Sequence, residues 1–174
     1  GIPEALKGMK NVDVRFVESD RFKKTPLKGK FLKEWALYGD ALTADVFINV
    51  PIAKHHSLTG LTLGLKNMMG IMGDNRGYIH RSIEDALCDI NSVVKSHLTI
   101  IDATRILVKH GPAGGSLKDV RLHNKVIASR DIVAADAYAT TLFNMKPDEI
   151  ATTVAAHKRG LGEMNLGRIK VLKT

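Results

Sequence analysis

Short apolar runs alternate along the chain with longer segments of helical periodicity, and this alternation predicts an α/β fold. We expect a single-layer sheet, mixed or mainly parallel, flanked by helices. Runs typical of β-strands occur at five places: Val12–Val17, Val46–Val50, Leu98–Ile101, Val126–Ala128 and Arg168–Leu172. The second run is apolar and largely β-branched, which indicates a buried strand that Pro51 ends.

Helix signals are strongest in three segments, namely His80–Lys95, Asp131–Phe143 and Pro147–Arg159. Asp131 can cap the second helix, and Gly160 follows the third as a stop signal. Leu61–Met69 is a weaker helix because it contains a glycine. Arg21–Lys30 is rich in lysine and holds a proline and a glycine, so it predicts a loop or turn.

The length and composition predict one globular domain. The chain has 174 residues, of which 44% are hydrophobic and 25% charged, and this excludes a disordered chain, a collagen and a coiled coil. We therefore expect a single α/β domain over residues 1–174. No apolar stretch approaches the roughly 20 residues of a membrane helix. Gly1–Lys10 contains no apolar signal segment. The single cysteine is compatible with the cytoplasm, so we expect a cytoplasmic protein; an export signal on a removed N-terminal segment is the alternative.

The single cysteine, Cys88, limits the redox chemistry that this chain can hold. A disulfide framework is excluded, and so is an iron–sulfur cluster held by this chain alone, because a cluster needs several thiolates. Cys88 lies in the middle of a predicted helix, where it is expected to be a small buried apolar residue.

The excess of positive charge predicts an anionic partner. Lys and Arg number 26 against 18 Asp and Glu, which gives a net charge of +8. Because these residues are scattered, solubility alone is the simpler explanation of the excess. Aromatic residues make up 5%, and nucleic-acid-binding signatures are absent, so we do not expect a nucleic-acid partner.

Two polar segments follow the Val46–Val50 run. Lys54 and His56 lie in the loop expected beyond it, where they offer a fixed cation and a titratable or metal-ligating ring; two surface histidines beside a lysine are the alternative. Lys66 and Asn67 follow in a glycine-containing stretch that can approach a ligand closely, although it is not a P-loop. His80 comes next.

Two further groups carry candidate chemistry. Gly111, Gly114, Gly115 and Ser116 could form an anion-binding nest of backbone N–H groups, or mark a flexible loop; both readings stay open. Four aspartates stand at or near element ends, namely Asp89, Asp102, Asp131 and Asp136. Asp136 lies in an apolar run, so it requires a cation, a donor or a metal as partner.

The order of these segments resembles a known family. Ala44–His56, Leu58–Gly70 with His80, Leu98–Ala103 with Gly111–Gly115, Ile127–Ala137 and Leu161–Val171 are similar, in that order, to motifs of domain-of-unknown-function family 362. Ile132 stands where that family usually has proline. The resemblance implies an association with ferredoxin-type iron–sulfur modules. It also implies the later part of a longer family domain, which leaves open a sheet without its N-terminal edge strand.

Two functional hypotheses follow. In the first, a cationic pocket binds an anionic ligand or a divalent metal in an iron–sulfur or redox context, and whether it catalyses a reaction stays open. Its expected residues are Lys54, His56, Lys66 and Asp136 in a catalytic role, Asn67, Gly111, Gly114, Gly115 and Ser116 for the ligand, and His56, His80 and Asp102 for a metal. In the second, the chain is a non-catalytic docking module for an acidic, ferredoxin-like partner.

Overall fold

A mixed β-sheet forms the centre of the fold in the computed structural model, which describes residues 1–112 and 115–173. The strands are β1 (Phe22–Pro26), β2 (Glu34–Tyr38), β3 (Ile48–Asn49), β4 (Ile52–His56), β5 (Gly60–Thr62), β6 (Leu98–Leu107) and β7 (Val120–Ser129). The α-helices are α1 (Ile2–Leu6), α2 (Gly39–Thr43), α3 (Gly64–Asn67), α4 (Ile83–Val93), α5 (Ile132–Thr140) and α6 (Ala151–Lys158).

Strand β6 organises the sheet. It pairs in parallel with β3 and β4 and antiparallel with β7, while β4 pairs antiparallel with β5. Strands β1 and β2 form a separate antiparallel hairpin. The predicted class, an α/β fold with a mixed sheet flanked by helices, is confirmed.

The core consists of two apolar clusters that meet around α5. One lies between the sheet and α5 and includes Ile101, Leu61 and Ala135. The other lies among α4, α6 and the segments before them, and includes Ile90 and Leu65. Helix α5 is buried along almost its whole length because it separates the two clusters.

The predicted helices are present where the capping signals are local. Helix α4 lies within the expected His80–Lys95 segment, and a 3₁₀ turn, Tyr78–Ser82, precedes it. The Asp131 carboxylate caps α5 by accepting the N–H groups of Val133 and Ala134, both at 2.9 Å. The segment predicted as Pro147–Arg159 divides into a 3₁₀ turn and α6, and Gly160 follows with φ of +72°.

Several predicted strands and loops are wrong, because strand formation depends on a partner that the local pattern does not reveal. Val12–Val17 and Arg168–Leu172 form no strand in the part of the chain that the structure describes. Arg21–Lys30, expected as a loop, contains β1. Leu61–Met69, expected as a helix, contains the end of β5, α3 and the start of a 3₁₀ turn.

The Val46–Val50 run and the segment after it also differ from expectation. Only Ile48–Asn49 of the run pairs as a strand, and Val50 is 60% exposed. The segment after Pro51, expected as a loop, is strand β4. Lys54 and His56 therefore lie on a strand of the sheet and not beyond its end.

Candidate anion-binding site

His56 closes strand β4 and holds the turn to β5. Its Nδ1 atom accepts the backbone N–H groups of Leu58 at 3.2 Å and Thr59 at 3.3 Å. Gly60 completes the turn with φ of +73°, a conformation that favours glycine. Because Nδ1 acts as the acceptor, the neutral ring carries its proton on Nε2 and presents an N–H donor there.

Positive charge converges on His56. Burial, followed by the positive charges of Lys66, His80, His55 and Lys54, lowers the pKa of His56 from 6.5 to about 4. The ring is therefore neutral at pH 7. We call Lys54, His56, Lys66 and His80 the cationic cluster; it unites residues from β4, α3 and the 3₁₀ turn before α4.

Lys66 is the buried cation of this cluster. It is 8% exposed, and its ammonium donates to Met69 Sδ at 3.1 Å, a weak acceptor. Burial, and then the charge of Lys54, lowers the pKa of Lys66. Among the ion pairs of the described residues, none includes Lys66 or Lys54. A buried ammonium without a carboxylate partner is costly to desolvate.

Asp136 positions the segment that carries Lys66. Its buried carboxylate accepts the N–H groups of Gly64 at 2.7 Å and Leu65 at 2.9 Å, which begin α3. Burial raises the pKa of Asp136 to about 7, against the effect of these two hydrogen bonds. A Cβ on Gly64 would lie 2.8 Å from Asp136 Oδ1. The partner that the sequence required for Asp136 is thus a pair of backbone donors.

Two buried amides that sequence reasoning missed fix the same segment. Asn49 Nδ2 donates to the Gly64 carbonyl at 2.9 Å, and Asn49 Oδ1 accepts from Asn67 Nδ2 at 2.7 Å. Asn91 Nδ2 donates to the carbonyl of Leu65 at 3.3 Å. The only signal in the sequence was a lone amide within an apolar strand or helix.

The glycine-rich loop adjoins the cluster, but its N–H groups have partners. Gly111 N–H donates to His55 Nδ1 at 3.2 Å, and a Cβ at Gly111 would collide with the His55 carbonyl. Ser116 N–H donates to Asp119 Oδ2 at 3.0 Å, and Gly115 lies beside the same carboxylate. Gly114 lies outside the described residues. The anion nest expected here therefore has at least two of its donors engaged internally.

The structure does not assemble the expected metal ligands. Asp102 accepts hydrogen bonds from the N–H and Oγ1 of Thr104, at 2.9 and 2.7 Å, and these lower the pKa of Asp102. The Asp102 carboxylate thus makes its hydrogen bonds within the β-bulge that follows Ala103. Within residues 1–112 and 115–173, no three His, Cys, Asp or Glu side chains are grouped to hold a metal ion, the set of His56, His80 and Asp102 included.

Two surface clefts lie away from the cationic cluster. One of about 570 Å³ separates β7 from Ile169–Lys173, and the other, of about 410 Å³, lies beside Asp13 and Tyr38. The cluster is therefore defined by buried charge and not by either cleft.

Fold and site together define a mixed α/β protein in which β4, α3 and the turn before α4 carry the cationic cluster, and in the described residues neither of its lysines is ion-paired with a carboxylate. The chain belongs to the DUF362 family, described as a domain of unknown function, whose model matches residues 1–141. The motifs alone had indicated a resemblance over residues 44–171. The matched region begins and ends earlier than that.

A relative and the absence of a structural match complete the comparisons. The chain is 30% identical over 130 residues to the thylakoid-associated protein sll1697 of Synechocystis sp. (strain ATCC 27184 / PCC 6803 / Kazusa). The aligned region is 70% of this chain and 40% of that protein, so the chain spans less than half of its relative. No solved structure matches the chain. Among the described residues, no helix has the length and apolar character needed to span a membrane. The cytoplasmic location stays a prediction.

Proposed function

We propose that this domain binds a small anionic ligand, a phosphate or a carboxylate, at the cationic cluster. The observation that carries the proposal is Lys66, a residue that is 8% exposed and whose ammonium has a thioether as its hydrogen-bond acceptor. In protein interiors a charge is paired or coordinated, because an isolated buried ion is costly to desolvate. An incoming anion would supply the missing partner.

Three members of the cluster have a part in this binding. Lys66 supplies the buried positive charge, and Lys54 adds a second charge that is partly exposed. His56 stays neutral at pH 7 and donates from Nε2, which suits an anion better than a metal ion. Asp136 and Asn49 position the Lys66 segment through its backbone. Asp136 is therefore a positioning residue in this proposal and not a catalytic one.

The iron–sulfur context rests on the family resemblance alone. Cys88 is 1% exposed, and burial raises the pKa of its thiol to about 11, so it does not offer a thiolate. A cluster would have to be held by another polypeptide segment. The docking alternative depends on exposed charge, whereas anion binding depends on the buried Lys66. The variant Lys66→Met therefore separates the two.

Thermal unfolding in the presence of phosphate tests the proposal. For a dissociation constant of about 1 mM, about 20 mM phosphate should add roughly 1.8 kcal/mol, or about 4–6 °C in Tm. Oxalate at equal ionic strength distinguishes a carboxylate from a phosphate preference. Lys66→Met should abolish the shift, and without anion it should be at least as stable as the native protein, because it removes an unpaired buried charge.

The matched control is Lys95→Met, which removes an exposed lysine that follows α4. It should keep the full phosphate shift. The proposal is contradicted if the native protein responds to neither anion, or if Lys66→Met responds as the native protein does.

A further inference from the structure

Positive charge is concentrated on the hairpin formed by β6 and β7. Residues 105–130 contain six Lys and Arg but one acidic residue, Asp119. Residues 105–130 thus account for five of the eight net positive charges of the chain. The Lys and Arg residues, described above as scattered, are therefore unevenly distributed along the chain.

The end of the hairpin gathers three of these cations. Val108 N–H donates to the Asp119 carbonyl at 2.8 Å, which brings Lys109 beside the turn that holds Lys118. The Arg121 guanidinium lies against the same turn and donates to the Lys118 carbonyl at 2.6 Å. We call Lys109, Leu117, Lys118 and Arg121 the basic tip.

The cations of the basic tip have no acidic partner in the part of the chain that the structure describes. Asp119 is occupied by Ser116 N–H at 3.0 Å and by His110 Nδ1 at 2.9 Å. The Arg121 guanidinium contacts backbone carbonyls only. Its charge and those of the two lysines remain available to an external anion.

Leu117 distinguishes the basic tip from a solvated charged surface. It is 90% exposed, although it lies directly before Lys118 in the turn. A nucleic-acid backbone would satisfy the cations but offers no apolar environment to a leucine at the end of a hairpin, and an acidic protein face would need an apolar pocket matched to that single leucine. An anionic bilayer offers both headgroup phosphates and, just beneath them, acyl chains.

We propose that the basic tip docks this domain on an anionic lipid surface. Lys109, Lys118 and Arg121 contact headgroup phosphates, and Leu117 enters the interface between headgroups and acyl chains. The docking is peripheral and involves no spanning segment. It does not rest on the anion-binding site, from which it differs in residues and in element.

Vesicle co-sedimentation of the full chain tests this docking. Vesicles of phosphatidylcholine with about 30% phosphatidylglycerol should bind the native protein at least tenfold more strongly than phosphatidylcholine alone. Raising NaCl to about 0.5 M should remove most of this preference. Binding that is equal for the two vesicles would overturn the proposal.

Two variants and their matched controls assign the contact. The double variant Lys118→Glu with Arg121→Glu, and separately Leu117→Ser, should each weaken binding by about tenfold or more. Lys24→Glu and Phe16→Ser change residues that are 81% exposed elsewhere and should bind like the native protein. All five positions are exposed, so circular dichroism should show an unchanged fold.

The remaining outcomes are equally decisive. If Leu117→Ser binds vesicles like the native protein, no leucine insertion occurs and the lipid assignment fails. If a duplex oligonucleotide is bound more tightly than the anionic vesicles, the tip is a nucleic-acid contact and the proposal fails as well. Lys66→Met should keep vesicle binding whether or not phosphate binding is lost, so the two proposals fail independently.

Discussion

The Asp89→Ala variant should lose about 4 kcal/mol of free energy of unfolding, a large part of the stability of an ordinary domain. Asp89 is fully buried on α4. Its carboxylate accepts the N–H groups of Lys30, Phe31 and Leu32 at 2.8–2.9 Å and pairs with Arg159 at 2.6 Å. Removing it would leave three backbone donors and one guanidinium without an acceptor. Urea unfolding at pH 7 measures the loss.

The control for this prediction is one helical turn away. Asp85 is partly exposed and pairs with the exposed Lys30 ammonium at 3.0 Å, so Asp85→Ala should cost less than about 1 kcal/mol. If both variants lose the same small amount, the Asp89 carboxylate does not hold the segment before β2 to α4 and α6.

The Asp136→Ala variant should lose about 3 kcal/mol of free energy of unfolding, and with it most of the affinity for phosphate. Two buried N–H groups, those of Gly64 and Leu65, would be left without an acceptor, at roughly 1–3 kcal/mol each. The first residues of α3, and Lys66 with them, would then no longer be held in place by the carboxylate. Asp102→Ala is the matched control, since this carboxylate caps an exposed bulge, and it should keep the phosphate response.

The pH dependence of stability identifies Asp136 further. Its folded pKa of about 7 lies above the ordinary 3.8, so its contribution to stability is complete below about pH 4 and is lost as the pH rises through 7. His56 acts in the opposite sense: its folded pKa of about 4 lies below 6.5, so its contribution is present above pH 6.5 and is lost as the pH falls towards 4.

These two slopes oppose each other in the native protein between about pH 4 and 6.5. In Asp136→Asn, stability should rise with pH over this range because only the His56 slope remains. In His56→Gln it should fall. Identical pH profiles for the two variants would show that neither group has the environment described.

Local signals predicted the helices better than the strands. Asp131 and Gly160 mark helix ends through hydrogen bonds and backbone angles within a few residues, so the sequence contains the whole signal. Val12–Val17 alternates like a strand, yet Phe16 in it is 81% exposed. A strand needs a partner that is distant in sequence, and alternation does not provide one.

The candidate site was predictable only in part, for a similar reason. Consecutive elements carry Lys54, His56 and Lys66. A tight turn pairs β4 with β5 in an antiparallel hairpin, which brings these elements close together. Asp102 is distant in sequence from these residues. The side chain that it contacts depends on a β-bulge, which no sequence motif predicts. Asn49 and Asn91 act through single amides, which carry no spacing pattern.

The central claim is that a buried ammonium and a neutral imidazole form one anion-binding unit. Nitrogen-15 NMR of the His56 ring, followed over pH and during addition of phosphate, tests it most directly. The account predicts an Nε2–H tautomer with a pKa of about 4, and an Nε2–H signal that shifts with phosphate in the native protein but not in Lys66→Met. A His56 ring that titrates near 6.5 and is indifferent to phosphate would contradict it.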